Sequence, residues 1–315
     1  MAEIGIIIVT YNSESVIGPC LDAAMRTGAD IVVVDNGSRD GSAAAAQRRG
    51  IRTIANETNA GFATAVNQGF AALDCAYILL LNPDAILQTG LDPLREACDL
   101  PGAAGAGGLL VDNSGHPQLG FMVRALPTPA ALILEALVLN RLWPNNSVNR
   151  RYRGLNLDYS SRIAVEQPAG AFLMIRKAVW RELDGFDQGF HPLWFEEVDF
   201  CCRAAERGYR LYFVPSAVAK HAGGHSIPQI AVEMRRYYWY RSLLRYSAKH
   251  FRKPDFRAVC LAVVSGSILR SVIESARQRS LKPLAATGNI VRLAGRSFVF
   301  GWRQGADSSR SGVLQ

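Results

Sequence analysis

The 315-residue sequence lacks several of the signals that commonly reveal a protein's function. Its six cysteines contain no C-x-x-C pair and no spacing typical of zinc ligands, so we predict small buried side chains in a reducing compartment. No G-x-G-x-x-G follows the first predicted strand and no G-x-x-x-x-G-K-[ST] occurs, which excludes the usual dinucleotide and P-loop fingerprints. No nucleic-acid-binding motif occurs either, and we expect no nucleic-acid partner.

The sequence also lacks a charged leader and a long uncharged apolar run. A strand-like run begins at Ile4, so we predict no signal peptide. The longest apolar candidate, 258–269, ends at Arg270 and is shorter than a membrane span. These absences predict a cytoplasmic protein.

Charge is distributed unevenly along the chain. Residues 1–225 carry 19 Lys and Arg against 23 Asp and Glu, a net charge of −4. Residues 226–315 carry 16 against 4, a net charge of +12. The basic C-terminal third is therefore the part suited to anionic lipid, nucleic acid or a phosphorylated substrate.

Short apolar runs alternate with helical segments in the first ninety residues. This rhythm predicts a parallel sheet with helices on both faces. The predicted strands are Ile4–Thr10, Asp30–Asp35, 51–55, 76–81, 102–111, 168–176 and 211–215. Beyond a predicted amphipathic helix at 127–143 and a loop at 144–162, basic helices are predicted at 227–250, 256–277 and 284–301.

Acidic side chains follow two of these strands. Asp84 comes after a leucine strand and Asn82-Pro83, at the edge of a parallel sheet where ligands bind, and its carboxylate suits a hard divalent cation. The alternative is that these residues only form a turn. Asp35 ends the second strand, where its carboxylate can accept a hydrogen bond from the imide N–H of uracil or thymine. Alternatively, Asp35 and Asp40 serve only as turn and capping residues.

Glu196, Glu197 and Asp199 open a predicted helix directly after two aromatic residues. Acidic residues stabilise a helix N-terminus, which is one explanation for them. The other is that partial burial raises the pKa of a carboxylate and makes it a better general base. His221 and His225 follow the last predicted strand in a glycine-rich loop. A lone histidine is more often structural, but this pair favours contact with a metal or phosphate.

Taken in order, these segments resemble the family 2 glycosyltransferases with the GT-A fold, and most closely the bacterial rhamnosyltransferase-like branch. The resemblance covers roughly residues 4–226, and 238–250 also looks like the helix that follows the catalytic domain in that branch. The matching stretches are Ile8-Val9-Thr10-Tyr11-Asn12, Val34-Asp35-Asn36-Gly37-Ser38, Asn59-Ala60-Gly61-Phe62, Leu81-Asn82-Pro83-Asp84, 170–176, Gly185-Phe186-Asp187, Trp194-Phe195-Glu196-Glu197-Val198-Asp199 and 221–226.

The resemblance implies an α/β fold: a Rossmann-like, mostly parallel sheet flanked by helices, with a C-terminal helical extension. We expect a catalytic domain at 1–226 and a basic amphipathic helical region at 227–315. The implied catalytic residues are Glu197 as the base, with Glu196 and Asp199 as rivals, and the implied ligands of Mn²⁺ or Mg²⁺ are Asp84 and His221. The implied nucleotide-binding residues are Thr10, Tyr11, Asn12, Asp35, Asn36, Asp40, Asn59, Gly61, Asn67 and Asn82.

Two residues depart from the family pattern. Asn82 replaces the first Asp of Asp-x-Asp, which leaves fewer charges to hold a metal. Glu197 stands where Asp is commoner, although its longer arm still reaches an acceptor hydroxyl.

The resemblance implies transfer of a sugar with inversion at its anomeric carbon, in cell-surface polysaccharide synthesis. The first hypothesis for the donor is dTDP-L-rhamnose, from which L-rhamnose is transferred. The alternatives are a UDP-sugar donor (galactofuranose, N-acetylhexosamine or hexose) and an inactive nucleotide-binding scaffold. The acceptor is expected to be a glycan or a polyprenyl-diphosphate-linked molecule. The basic helices are expected to attach the protein to the inner face of the cell membrane, to pack on the catalytic domain, or to form a homodimer.

Overall fold

A computed structural model describes residues 3–223, 230–280 and 282–302, without the side chains of 282–286. His225 and Ser226 lie outside the described residues. The chain forms two compact units. The sheet unit consists of the chain up to Leu126 with Arg150–Ala231, and the helical unit of Pro127–Asn149 with the chain from Val232 onward. The helical unit thus takes in a segment before the boundary that we predicted at residue 226.

The secondary structure of the described residues follows the chain as two series. The strands are β1 (Ile4–Thr10), β2 (Asp30–Asp35), β3 (Arg52–Ala55), β4 (Tyr77–Leu81), β5 (Ala85–Leu87), β6 (Ala103–Val111), β7 (Val123–Arg124), β8 (Ile163–Val165), β9 (Gln167–Pro168), β10 (Phe172–Arg176) and β11 (Arg210–His221). The helices are α1 (Glu14–Met25), α2 (Ser42–Gln47), α3 (Phe62–Ala72), α4 (Asp92–Cys98), α5 (Pro129–Ala136), α6 (Leu139–Leu142), α7 (Ser147–Tyr152), α8 (Lys177–Glu182), α9 (Glu196–Glu206), α10 (Val232–His250), α11 (Lys253–Gln278) and α12 (Lys282–Phe300).

The main sheet has nine strands in the order β3-β2-β1-β4-β10-β6-β11-β5, with β8 paired to β11. Six of them run in one direction, while β10, β5 and β8 run in the opposite one. The predicted mostly parallel sheet is therefore confirmed, and β10 is the antiparallel strand at its centre.

Helices cover both faces of this sheet because its strands are apolar on both sides. In β1, Ile6 and Ile8 face one core, which α1, α2 and α4 complete, and Ile7 faces the other, which α3, α8 and α9 complete. On the second face, the ring of Trp180 stacks on Phe70 with a centroid distance of 3.6 Å and lies 5.3 Å from the ring of Phe200. This aromatic packing fixes α9, whose first residues are Glu196 and Glu197.

Several elements differ from the sequence-based expectation. The predicted helix at 127–143 is interrupted at Val138, which has a φ of 63°, and so forms α5 and α6. The predicted loop at 144–162 contains α7. Strand β11 continues far beyond residue 215, because Pro215 interrupts its pairing only locally and β11 resumes pairing with β6 at Val218.

Within the helical unit, α11 packs closely against α5. A methyl group on Gly266 would lie 2.0 Å from the carbonyl oxygen of Ala136, so this approach requires glycine. Arg236 on α10 forms a bidentate pair with Glu274 on α11, with distances of 2.7 and 2.6 Å. The three long C-terminal helices that the sequence predicted are present in the structure.

Helix α11 is long and apolar enough to cross a membrane, by length and composition alone, which differs from our expectation for 258–269. Its most apolar window has a mean hydropathy of 1.7 and is 44% buried. Core helices of soluble proteins pass the same test, so this single helix is weak support for a span.

Candidate active site

The carboxyl ends of β1 and β2 bring the first predicted site residues together. In the parallel register Thr10 pairs with Asp35, and both side chains are buried. Thr10 Oγ1 has no hydrogen-bond partner among the described groups. Because a buried hydroxyl rarely goes unpaired, this atom fits an edge that receives a polar ligand.

The loops after these strands are tied together through Ser38. Its hydroxyl donates to Asp35 Oδ1 at 2.5 Å and its N–H to Oδ2 at 3.1 Å. The N–H of Asn12, which has a φ of 49°, donates to Ser38 Oγ at 2.9 Å, and Asn12 Oδ1 accepts from Arg39 N at 2.8 Å. Both Asp35 oxygens retain lone pairs that could accept a hydrogen bond from the N–H of a nucleobase. Tyr11, between Thr10 and Asn12, is half-buried.

Asp40 holds the starts of two helices. Its carboxylate accepts from Ser42 N at 3.0 Å, from the Ser42 hydroxyl, and from Glu14 N at 3.0 Å, while Glu14 accepts from Gly41 N at 3.0 Å. Desolvation acts against the charge, but these hydrogen bonds outweigh it and lower the pKa of Asp40. These contacts give Asp40 a capping role, the alternative that the sequence left open.

Asn36, Asn59 and Gly61 shape a third loop. The Asn36 amide donates to Asn59 Oδ1 at 2.9 Å and accepts from Ala60 N at 2.9 Å. Asn59 Oδ1 also accepts from Gly61 N at 3.0 Å. Gly61 has a φ of 90°, and a methyl group there would lie 2.6 Å from His191 Nδ1. Asn36 and Asn59 therefore fix the loop that borders the site.

Asn67 was predicted to bind nucleotide, but the structure gives its amide a different use. Its Nδ2 donates to Phe186 O at 2.9 Å, and its Oδ1 accepts from Phe186 N at 3.1 Å. Because both ends of the amide satisfy the backbone of residue 186, we interpret Asn67 as a structural clamp between α3 and the Gly185-Phe186 turn.

Asp84 and His221 meet because β5 pairs with the end of β11, where Ala85 lies opposite His221. Both side chains are almost fully buried, and His221 Nε2 lies 3.4 Å from Asp84 Oδ1. Asn82 Nδ2 lies 3.3 Å from the same Nε2. A carboxylate beside an imidazole nitrogen is a donor set that fits a divalent cation.

The ring of His221 has further partners that the sequence did not indicate. Gln118 Oε1 lies 2.9 Å from Nδ1, and the ring of Phe121 stacks on the imidazole with a centroid distance of 5.2 Å. Both residues come from the loop that follows β6.

Glu196 and Glu197 are the first two residues of α9 and follow Trp194 and Phe195, whose φ values are both positive. Glu196 is 3% exposed, and burial together with the neighbouring Glu197 charge raises its pKa well above the ordinary value. Glu197 is half-buried. Desolvation raises its pKa too, against the N–H groups of the helix start and the charge of Arg124. The upward pKa shift is the larger for Glu196, because burial and the neighbouring Glu197 charge act on it in the same direction.

A short segment before β10 connects the two halves of this site. A methyl group on Gly170 would lie 3.5 Å from Glu197 Cγ. The carbonyl oxygen of the next residue, Ala171, accepts a hydrogen bond from Asn82 N at 3.0 Å. Glu197 and the Asn82–Asp84 turn thus share one support at the same edge of the sheet.

Asp199, a rival base on sequence grounds, is fully buried. Arg203 Nε donates to its Oδ2 at 2.8 Å, and the same guanidinium donates to the carbonyl oxygens of Leu183 and Gly185. An acceptor hydroxyl has no access to a carboxylate in this position. We therefore interpret Asp199 as the partner that anchors Arg203 to the turn after α8.

The strand order and the helices on both faces of the sheet are those of the GT-A fold, and the family match identifies the protein as a glycosyltransferase. A family model described as glycosyl transferase family 2 matches residues 5–180, and the chain belongs to that family. It is 28% identical to the N-acetylglucosaminyl-diphospho-decaprenol L-rhamnosyltransferase of Mycobacterium tuberculosis, over 88% of this chain and 96% of the relative. It is 25% identical to rhamnosyltransferase WbbL of Escherichia coli K12, over 58% of this chain and 66% of the relative.

The fold is also similar to that of a mannosyltransferase from Pyrobaculum calidifontis solved with GDP-Man and Mn²⁺. The TM-score is 0.52 at 14% identity, over 96% of this chain and 88% of that chain. At this identity the likeness supports the fold alone.

Proposed function

We propose that this protein is an inverting, metal-dependent rhamnosyltransferase that moves L-rhamnose from dTDP-L-rhamnose to a hydroxyl of a glycan or lipid-linked acceptor. The observation that carries the proposal is the shared edge on which the Asp84–His221 pair and the half-buried Glu197 both lie. The rhamnosyl donor is supported by the names of the relatives from M. tuberculosis and E. coli.

The proposed reaction is a single displacement at the anomeric carbon. The acceptor oxygen forms the new bond from one face while the bond to the diphosphate breaks on the other, so the configuration inverts. Glu197 accepts the hydroxyl proton as this bond forms. Asp84 and His221 would hold a divalent cation, which would stabilise the negative charge on the leaving diphosphate. Asp35 accepts the imide N–H of the pyrimidine and orients the donor.

Nucleotide-dependent stability tests the donor. We expect dTDP with Mn²⁺ to raise the melting temperature more than UDP with Mn²⁺, and GDP and ADP to leave it unchanged, because a ligand that binds only the native state stabilises it. The same protein is then incubated with dTDP-L-rhamnose and with UDP-sugars, and release of nucleoside diphosphate is measured. A larger response to UDP and turnover of UDP-sugars alone would replace the rhamnosyl donor by a UDP-sugar.

Attachment to the inner face of a bacterial cell membrane is part of this proposal, with a role in cell-surface polysaccharide synthesis. It is supported by the +12 charge of residues 226–315 and by half-exposed apolar side chains on α11, such as Leu261, Leu269 and Val272. The M. tuberculosis relative is named for a diphospho-decaprenol substrate. We expect the protein to float with anionic vesicles and not with neutral ones. If the protein binds neither kind of vesicle and remains a dimer on dilution, these helices would be assigned to a subunit interface instead.

A further inference from the structure

The imidazole of His221 is held at both nitrogens, and one partner has a fixed orientation. Gln118 Nε2 donates to the carbonyl oxygen of His221 at 2.8 Å, and the other end of the same amide, Oε1, lies 2.9 Å from the ring Nδ1. A flipped amide would set its oxygen against the carbonyl oxygen, two acceptors at hydrogen-bond distance. The amide oxygen therefore faces the ring, and Nδ1 must carry the proton.

This choice of tautomer decides what Nε2 can do. With the proton on Nδ1, Nε2 presents a lone pair at 3.4 Å from Asp84 Oδ1, and the Asn82 amide lies 3.3 Å away as a donor. With the proton on Nε2, the imidazole would donate to Asp84 and close the pair on itself. Only the first form can bind a metal through Nε2, since a metal binds the ring nitrogen that lacks a proton.

The loop that carries Gln118 is held firmly. Gln118 N donates to Leu110 O at 2.9 Å in β6, and Met122 N donates back to Gln118 O at 3.1 Å. Asp112 Oδ1 accepts from His116 N at 2.9 Å at the start of the loop. Phe121, from the same loop, lies parallel to the imidazole within 9°. The loop thus fixes both the position of the amide and the plane of the ring.

We propose that Gln118 is a positioning residue that holds His221 in the Nδ1–H form and so keeps Nε2 available, with Asp84, for a divalent cation. This inference rests on the proposed function, because that proposal assigns the metal to Asp84 and His221. Partners on the second ring nitrogen of metal-binding histidines commonly change metal affinity by about 10- to 100-fold.

The test is a titration of Mn²⁺ by electron paramagnetic resonance with saturating dTDP or UDP, in which bound Mn²⁺ loses the signal of the free ion. We expect Gln118→Met to weaken Mn²⁺ binding about 10- to 100-fold. We expect Gln118→Glu to stay close to the unchanged protein, because a carboxylate still accepts the Nδ1 proton although it no longer donates to the His221 carbonyl. Gln47→Met, on the exposed end of α2, is the matched control.

Three outcomes would overturn the inference. Unchanged Mn²⁺ affinity in Gln118→Met would remove the role, and equal losses in Gln118→Met and Gln118→Glu would make it a purely structural tie to the main chain. If Asp84→Asn also binds Mn²⁺ normally, the proposed metal site is wrong as well, which separates the two failures. Nitrogen NMR of the imidazole gives a metal-free readout. We expect the Nδ1–H form in the unchanged protein and in Gln118→Glu, and a mixture of tautomers in Gln118→Met.

Discussion

Replacing Glu197 by Gln is expected to lower kcat for sugar transfer by about 10²- to 10⁴-fold, the usual contribution of a general base. The side chain keeps its size and stays half-buried, but the amide cannot accept the proton of the acceptor hydroxyl. Binding of the donor nucleotide should be unchanged, because Glu197 has no assigned contact with it. The measurement is steady-state transfer with purified acceptor, beside nucleotide binding by calorimetry.

Two matched variants sharpen this test. Glu206→Gln, at the exposed end of the same helix, should be fully active. Glu196→Gln should lose much less than Glu197→Gln, because burial and the neighbouring Glu197 charge raise the pKa of Glu196 and make it the less suitable base. A larger loss in Glu196→Gln would exchange the two roles.

The pKa of Glu197 also sets the acid limb of the pH profile. The base must be ionised to accept a proton, and burial raises its pKa. As the pH is lowered, kcat/KM should therefore begin to fall at a higher pH than it would with an ordinary glutamate. This limb should be missing from any residual activity of Glu197→Gln.

Replacing Asp84 by Asn is expected to reduce transfer on the order of 10³-fold, because a metal contributes several kcal/mol to charge stabilisation and each 1.36 kcal/mol is a factor of ten. The amide keeps the shape of the side chain and one oxygen but loses the charge beside His221. Nucleotide binding should become insensitive to Mn²⁺, which is measured as the difference in melting temperature with and without the ion.

Asp92→Asn is the control for this charge change, since Asp92 is exposed in the first turn of α4. Transfer by Asp84→Asn that still responds to Mn²⁺ like the unchanged protein would place the metal elsewhere. Transfer that is lost while the Mn²⁺-dependent stabilisation persists would separate metal binding from catalysis.

The sequence predicted that the candidate site residues lie together at one edge of the sheet, because the carboxyl ends of parallel strands meet there. Thr10 and Asp35 follow from two neighbouring strands and are adjacent in the structure. His221 was predicted to lie in a glycine-rich loop, whereas it ends a long strand that pairs with β5. That pairing joins residues far apart in sequence, and a three-residue strand such as β5 leaves no periodic signal.

For two other predicted site residues the structure shows protein contacts that the sequence could not reveal, because the residue type is the same whether its side chain meets a ligand or the protein. Asp199 lies in a stretch that matches the family and Asn67 lies outside those stretches, and the polar atoms of both contact the protein, at Arg203 and Phe186 respectively. The contact between Gln118 and His221 was not predicted from the sequence. The loop of Gln118 carries no motif, and only the folded chain brings this residue to His221.

The interruption of β11 at Pro215 limits which insertions and deletions in the sequence this site can tolerate. Val214 pairs with Gly108 and Val218 with Leu109, so the strand advances four residues while its neighbour advances one. Side chains on a strand alternate between faces, and His221 lies beyond this bulge. An insertion or deletion of one residue here must be absorbed within the bulge, or it turns His221 away from Asp84. The pair therefore depends on a residue count as well as on its own two identities.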